Sequence, residues 1–211
     1  MSNSTVTEEL SDWLGSVRYD QLPSVVHEKT LDVVFDSVGC MVACSGLPEV
    51  RAIVQLVEEI SERRDCAIVG SDIRSSVIAA AMANGGMAHG DEVDPVHLSS
   101  SGGHVAAGTV PTALTVGEWV GASGKDFLCA VALGYEVGGR LMTILYRERD
   151  YVARRFYHTS VAGALTSAVT ASLLLGLDRR SIQTALGLAA YQAAGPDNMT
   201  KDPATWERHS K

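Results

Sequence analysis

The amino-acid sequence predicts an all-α fold, a multi-helix bundle-like domain of 211 residues. Apolar residues recur at helical spacing in most segments, as Val26, Leu31, Val34 and Val38 do. Hydrophobic residues make up 46% of the chain but aromatic ones only 6%, so small side chains must form the core and let helices approach closely. No repeat or Gly/Ser-rich linker divides the chain, and we expect a single helical domain over residues 1–211.

The first half of the chain predicts four helices, each for a local reason. Thr5–Val17 is amphipathic, and Pro23–Cys44 begins with a proline at a first helical position. Pro48–Arg63 places Val and Ile on one face and Glu on the other. Cys66–Val69 favours a short extended piece. Ser75–Ala88 is rich in Ala and Met and almost uncharged, which predicts a helix buried on most sides.

The second half predicts four more helices. Their expected spans are His104–Val120, Phe127–Arg147, Ser160–Leu175 and a last helix from Asp178 to about Ala194. Pro111 should kink the first of these or confine its regular part to the residues after the proline. Ser123 and Asp178 are expected N-caps. Gly195 and Pro196 should end the last helix.

Charge and cysteine content exclude several classes of function. The net charge is −8 without a basic stripe, which argues against nucleic acid and anionic membranes as partners. Apolar runs such as Ala171–Leu175 fall far short of the roughly 20 residues of a membrane span. The first residues lack a secretory signal pattern, so we expect a cytoplasmic protein. The four cysteines match no zinc or iron–sulfur spacing, and Cys40 and Cys44 are expected in the core.

Residues with potential for chemistry concentrate between Ala81 and Pro111. His104 follows a Ser/Gly-rich loop and stands where a new helix should open. Backbone N–H groups at such a start attract anions, and a histidine there suits general acid–base chemistry beside a bound carboxylate. The alternative is a surface histidine at a corner between loop and helix.

Other candidates around this segment leave alternatives open. His97 with Asp91, Glu92 and Asp94 offers metal-binding side chains, but their spacing fits no defined motif. The cluster is more typical of a solvated turn, and we predict no metal. Tyr157 and His158 follow two arginines, Arg154 and Arg155, and form either an anion pocket or an exposed loop. Taken alone, the terminal Lys211 is a solvated chain end.

Three stretches of the chain together resemble the MmgE/PrpD family. They are AMANGGMAHGDEVDPV followed by HVAAGTVP, then SGKDFLCAVALGYEVGGRL, then LLLGLDRRSIQTALGLAAYQAAG. The first is similar to the family pattern A-N-G-x-x-A-H-x-x-D-F-D-D-T and its later H-P-S motif. The N-terminal VRYDQLPSVVHEKTLDVVFDSVGCMVA fits as well, so the resemblance covers nearly the whole chain.

The resemblance implies a set of site residues. His104 matches the catalytic histidine, and Glu92 and Asp94 match two aspartates of D-F-D-D. The threonine after that motif is replaced by Val96, which cannot hydrogen-bond. The family's second histidine falls on Tyr157 without a gap or on His158 with a shift of one residue.

The tail Arg208–Lys211 is similar to the family's M/V-S/T-K, which makes Lys211 the match to an active-site lysine. We therefore expect His104, Lys211, His158 and Glu92 to be catalytic. We expect Asp94, Tyr157, His97 and Arg155 to bind substrate.

The family resemblance also implies an activity. We expect a cofactor-independent lyase, foremost a hydro-lyase (dehydratase) acting on a small hydroxy-polycarboxylate such as 2-methylcitrate, with no metal. Decarboxylation and epimerisation are alternatives that share the same proton chemistry. The resemblance also implies a homodimer. Family members are about twice this length and carry a second α/β lid domain, so we expect this chain to be either an incomplete N-terminal part of that architecture or a part that another subunit completes. A non-catalytic helical binding module is the alternative from another class.

Overall fold

Helices form nearly all the regular structure of residues 4–100, 102–147 and 156–195, which are the residues that the computed structural model describes. This confirms the all-α prediction. The helices are α1 (Val6–Ser16), α2 (Ser24–Cys44), α3 (Pro48–Ile60), α4 (Val77–Ala88), α5 (Ala106–Val120), α6 (Gly124–Arg147), α7 (His158–Leu174) and α8 (Arg179–Gln192). Short 3-10 turns lie at Tyr19–Gln21 and Leu98–Ser100.

The two predicted N-caps, Asp178 and Ser123, are confirmed by their capping contacts, whereas the helix predicted from His104 begins two residues later, at Ala106. The Asp178 carboxylate accepts a hydrogen bond of 2.8 Å from the backbone N–H of Ser181, which fixes the start of α8. The Ser123 hydroxyl accepts from the N–H of Asp126 at 3.2 Å and donates to the Asp126 carboxylate at 2.6 Å. Side chains that accept hydrogen bonds from the first free N–H groups of a helix are recognisable from the sequence, because donor and acceptor are only about three residues apart.

Two local features differ from the sequence-based expectation. The extended piece is Cys66–Ala67, and it pairs antiparallel with Arg74–Ser75, a partner that the sequence did not indicate. α5 runs regularly from Ala106 through Pro111, so the proline does not confine the helix to the residues after it. Pro111 has no N–H group, so it cannot donate the usual helix hydrogen bond to the carbonyl of Ala107, one turn earlier. Both residues border a cavity.

The core depends on small residues where α6 meets α7. A Cβ atom at Gly134 would collide with Thr170, and one at Gly138 would collide with Thr166 and Val105. The core of α2 to α6 includes Met41, Ala80, Ala83, Val110 and Val131, all fully buried. Cys40 and Cys44 are buried as expected, at 6% and 2% exposed. Small side chains of α4, α5 and α7 also line a cavity between these helices.

α6 is also long and apolar enough, by length and composition, to cross a membrane. In that stretch 56% of the residues are buried against the rest of the protein, which is typical of a core helix. α2 and α3 meet the same test only when taken together, and they are bent by 91° at their junction.

Candidate active site

A cavity of about 400 Å³ opens where α4 ends and where α5 and α7 begin. Small side chains make most of its wall, and His89 and His104 are the titratable residues among the described ones that line it. Other lining residues are Ala81, Gly85 and Gly86 from α4, Ala107, Gly108 and Pro111 from α5, and Thr159, Ser160, Gly163 and Ser167 from α7. The cavity has the size of a small-molecule site.

Two histidines meet one buried carboxylate at this cavity. His89 Nδ1 lies 2.6 Å from Asp94 Oδ1, and His104 Nδ1 lies 3.1 Å from the same oxygen. The two imidazole rings stand edge to face, with centroids 4.6 Å apart. The Asp94 side chain is fully buried, and those of His89 and His104 are 4% and 12% exposed. We call His89, Asp94 and His104 the His–Asp–His cluster.

Asp94 is the anion of this cluster. Burial of its carboxyl group raises the pKa, but the contacts with His104 and His89 outweigh burial and hold the pKa below its ordinary value of 3.8. An ionised carboxylate only accepts hydrogen bonds, so His89 Nδ1 carries the proton that it shares with Asp94. Burial, and then the charge of Asp94, raise the pKa of the neighbouring Tyr135 to about 12, so Tyr135 is neutral.

The loop between α4 and α5 is folded so that these side chains can meet. A Cβ atom at Gly90 would collide with Cys44, so glycine lets the chain turn tightly against α2 after α4. The backbone N–H of His97 donates to the carbonyl of Gly103 at 2.9 Å, which closes the loop and returns His104 to α4. Glu92 has φ of 53°, an unfavourable conformation for a non-glycine residue, and such strain is concentrated at functional sites.

The cluster orients His104 for proton transfer. Its Nδ1 faces Asp94, so Nε2 is the ring nitrogen turned away from the carboxylate. A carboxylate at one nitrogen fixes the ring and its tautomer, which leaves the other nitrogen to exchange a proton with a bound molecule. His104 borders the cavity, as that chemistry requires.

Glu92 and His97 are placed differently from each other. Glu92 lies beside the cluster, with Oε1 3.2 Å from His89 Nε2. The His97 ring instead packs on α6, with its centroid 5.2 Å from that of Tyr135 and its edge against Gly139. His97 is not among the described residues that line the cavity. Its predicted contact with substrate would need a rearrangement of the loop.

The remaining predicted residues lie around the start of α7 or beyond the described residues. Tyr157 is the N-cap of α7 and His158 its first residue, and their ring centroids are 5.3 Å apart. The His158 ring also faces Tyr146 of α6, at 6.0 Å between centroids. Neither is among the described lining residues, although Thr159 and Ser160 are. Arg155 and Lys211 lie outside the described residues, so their roles stay predictions.

His89 is the site residue that sequence reasoning missed. It stands in the Ala-His pair of AMANGGMAHGDEVDPV, so it was visible within the motif that carried the family resemblance. Nothing in the local spacing indicates that the end of α4 meets the start of α5, 15 residues later, across a shared carboxylate. That contact results from the path of the loop.

The same cluster has the composition of a metal site. One ligand atom from each of His89, Asp94 and His104 lies within 4.8 Å of the other two. Two imidazoles and a carboxylate are ligands that bind Zn²⁺ and similar ions. The 2.6 Å contact of His89 with Asp94 is a hydrogen-bond distance, so a metal ion would have to replace that proton and spread the ligands.

The model of the MmgE/PrpD N-terminal domain matches residues 8–210. A cis-aconitate decarboxylase of Aspergillus terreus is 28% identical, over 92% of this chain and 40% of its own length. A cis-aconitate decarboxylase-like protein of Aspergillus oryzae is 27% identical, over 90% of this chain and 40% of its own. The cis-aconitate decarboxylase of Mus musculus is 27% identical, over 93% and 41%. The chain thus spans about two fifths of the length of these curated relatives.

Proposed function

This chain belongs to the MmgE/PrpD family through its N-terminal domain, and on that basis we propose that it forms part of the active site of a lyase acting on a small polycarboxylate. The observation that carries the proposal is the His–Asp–His cluster at the wall of the cavity. We favour decarboxylation of an acid such as cis-aconitate, because the similar curated relatives are cis-aconitate decarboxylases or like them. Dehydration of a hydroxy-polycarboxylate such as 2-methylcitrate is the second candidate within the family.

In this proposal His104 supplies the proton. The bond between the substrate carbon and one carboxylate breaks, CO₂ leaves, and the electron pair remains on carbon, delocalised toward a neighbouring double bond and carboxylate. His104 Nε2 then gives its proton to the carbon skeleton, and a C–H bond forms. Asp94 acts on the Nδ1 side, where it orients the ring during the transfer. For dehydration, the same nitrogen would protonate the departing hydroxide.

Glu92 and His89 support the cluster in this scheme. His89 lies between two carboxylates, with one nitrogen 2.6 Å from Asp94 and the other 3.2 Å from Glu92. The ring thus stands between the two carboxylates, with its hydrogen bond made to Asp94. Lys211 and Arg155 stay proposed as partners for substrate carboxylates, on the ground of the family resemblance. We also propose that no cofactor is needed and that the protein is cytoplasmic.

The homodimer is a proposal as well. Leu31, Phe35 and Val42 lie along one side of α2 and are 51%, 84% and 54% exposed. A row of exposed apolar side chains on one helix is typical of an interaction surface. Sedimentation of the wild type and of a Phe35→Glu variant tests it, and a wild type that stays monomeric at high concentration would contradict it.

The activity is tested by proton NMR in D₂O. The protein is incubated separately with cis-aconitate, citrate and 2-methylcitrate, and the variant His104→Gln is run in parallel. We expect decarboxylation of cis-aconitate with deuterium entering the product, and a loss of rate of about 10²–10⁴-fold in the variant. Dehydration of 2-methylcitrate alone would favour the second candidate. Turnover that survives H104Q would assign the proton transfer to another residue. Absence of any reaction, together with imidazole signals of His89 and His104 that do not shift on addition of any of the acids, would contradict the proposal.

A further inference from the structure

We propose that the start of α7 is a carboxylate-binding subsite of the cavity, formed by the hydroxyl groups of Thr159 and Ser160 and the backbone N–H groups of the same residues. The inference rests on the proposed function. It adds the place that would hold a carboxylate which the substrate keeps during the reaction. Both residues line the cavity that His104 also lines.

The position of the two residues on the helix is the first observation. α7 comprises 17 residues, His158–Leu174, and its N-cap Tyr157 makes no side-chain capping bond. Thr159 and Ser160 are the second and third helical residues, where the helix itself supplies no carbonyl to the N–H groups. The positive end of the helix dipole lies at the same place, so an anion there gains both hydrogen bonds and favourable electrostatics.

Two buried hydroxyls are the second, independent observation. Thr159 is 4% exposed, and its Oγ1 has no hydrogen-bond partner among the described residues. The same holds for the buried Ser160 Oγ. Buried polar atoms are nearly always hydrogen-bonded, so an orphaned pair on a cavity wall indicates a ligand that brings its own acceptor. A carboxylate offers two oxygens with lone pairs for several donors and has none to give.

A third hydroxyl group in the same cavity, that of Ser167, differs from those of Thr159 and Ser160 because it is already hydrogen-bonded. Ser167, two turns further along α7, donates to the carbonyl of Gly108 at 3.1 Å, so its hydrogen atom is already in use. Among the described lining residues there is also no lysine or arginine. Apart from His89 and His104, the described part of this wall can therefore recognise an anion only through N–H and O–H dipoles, and the start of α7 supplies such dipoles.

The experiment compares three single variants with the wild type. Thr159→Val removes the hydroxyl but keeps the shape, Thr159→Ser restores it, and Ser167→Ala removes the hydroxyl that is already bonded. Tricarballylate, a saturated tricarboxylate that cannot be decarboxylated by the proposed route, is titrated by calorimetry and by NMR of the backbone amides. Circular dichroism and thermal unfolding verify that each variant is folded.

We expect T159V to raise the Kd of tricarballylate about tenfold, the equivalent of one hydrogen bond to a charged group. T159S and S167A should stay within about twofold of the wild type, and the amide signals of residues 159 and 160 should shift on titration. With a turned-over substrate, T159V should raise KM and leave kcat within a few-fold. An equal loss in T159V and S167A, or wild-type amide signals at 159 and 160 that do not move, would overturn the proposal.

Two further measurements distinguish this inference from a general anion site and from the proposed function. Inorganic phosphate that shifts the same amides with equal affinity would overturn the carboxylate assignment, because the site would then bind any small anion. Tricarballylate binding that depends on Thr159, in a protein that turns over no acid and in which no acid shifts the imidazole signals of His89 and His104, would leave the subsite standing and refute the proposed function. If T159V does not fold, the wild-type amide shifts alone decide the question.

Discussion

Replacing Asp94 by asparagine tests the centre of the site most directly. The Asp94 side chain is fully buried and stands against His89 at 2.6 Å and His104 at 3.1 Å. Asparagine keeps the size but carries no charge, so even with its amide oxygen in the place of Oδ1 both imidazoles exchange a carboxylate partner for a neutral one. Hydrogen bonds to charged groups contribute about 1.5–3 kcal/mol each. We therefore expect D94N to lower the free energy of unfolding at pH 7 by about 3 kcal/mol.

The assay is urea unfolding followed by circular dichroism, with Asp32→Asn as the matched control. Asp32 lies in a 2.7 Å ion pair with Lys29, but the two side chains are 65% and 75% exposed. Exposed pairs contribute about 0–1 kcal/mol, so D32N should unfold at nearly the same urea concentration as the wild type. A D94N loss no larger than that of D32N would refute the reasoning, because it would mean that the buried contacts add nothing to stability.

The pH dependence of the difference in unfolding free energy between the wild type and D94N provides a second test. The pKa of Asp94 in the folded state lies below its ordinary value of 3.8, because the contacts with His104 and His89 outweigh burial. A carboxyl group with a lowered pKa contributes stability that is complete above the unfolded-state pKa and is lost as pH falls through the folded-state pKa. The part of the stability gap between wild type and D94N that comes from this carboxylate should therefore be present in full above about pH 4 and be lost as the pH falls further. A gap that stays unchanged as the pH falls from about 4 to about 2 would contradict the assignment of Asp94 as the anion.

Three further outcomes are expected. Gly138→Ala should lower the free energy of unfolding by about 1–3 kcal/mol in thermal or urea unfolding, because the new Cβ would collide with Thr166 and Val105. Gly163→Ala is the control and should not lower it, because a Cβ at Gly163 would meet open space. Cys40 should react with iodoacetamide at about pH 8 at least roughly a hundredfold more slowly than a free thiol, because burial, with Asp36 and Asp94 nearby, raises its pKa from 9.0 to about 11. Dialysis against EDTA should leave the melting temperature and any lyase activity unchanged, and a loss restored by Zn²⁺ would instead indicate a metal at the His–Asp–His cluster.

The helices could be predicted from the sequence because their signals are local. Asp178 and Ser123 cap helices three residues away, and apolar spacing within Ser24–Cys44 or Pro48–Ile60 requires no knowledge of the partner helix. The strand pair of Cys66–Ala67 with Arg74–Ser75 escaped prediction because two-residue strands have almost no periodicity to read.

The residues of the site likewise fall into those that the sequence could predict and those that it could not. His104, Asp94 and Glu92 could be named in advance, because the family motifs mark them in the sequence. The separation of His97 from the cavity could not be predicted, since a ring seven residues from His104 can face either way depending on how its loop closes. Here the bond from His97 N–H to the Gly103 carbonyl, and the space above Gly139, direct it to α6.

Contiguous residues were enough to establish the all-α class, the family and most of the residues with chemical potential, because helix periodicity, caps and motifs are all local properties. Only the packing of the helices established that His89 shares the Asp94 carboxylate with His104. It also established that Thr159 and Ser160, whose hydroxyls have no partner among the described residues, line the same cavity. Those relations join the end of α4 to the starts of α5 and α7. They depend on how closely the helices pack, which is set by side-chain volume across the whole core rather than by any local pattern.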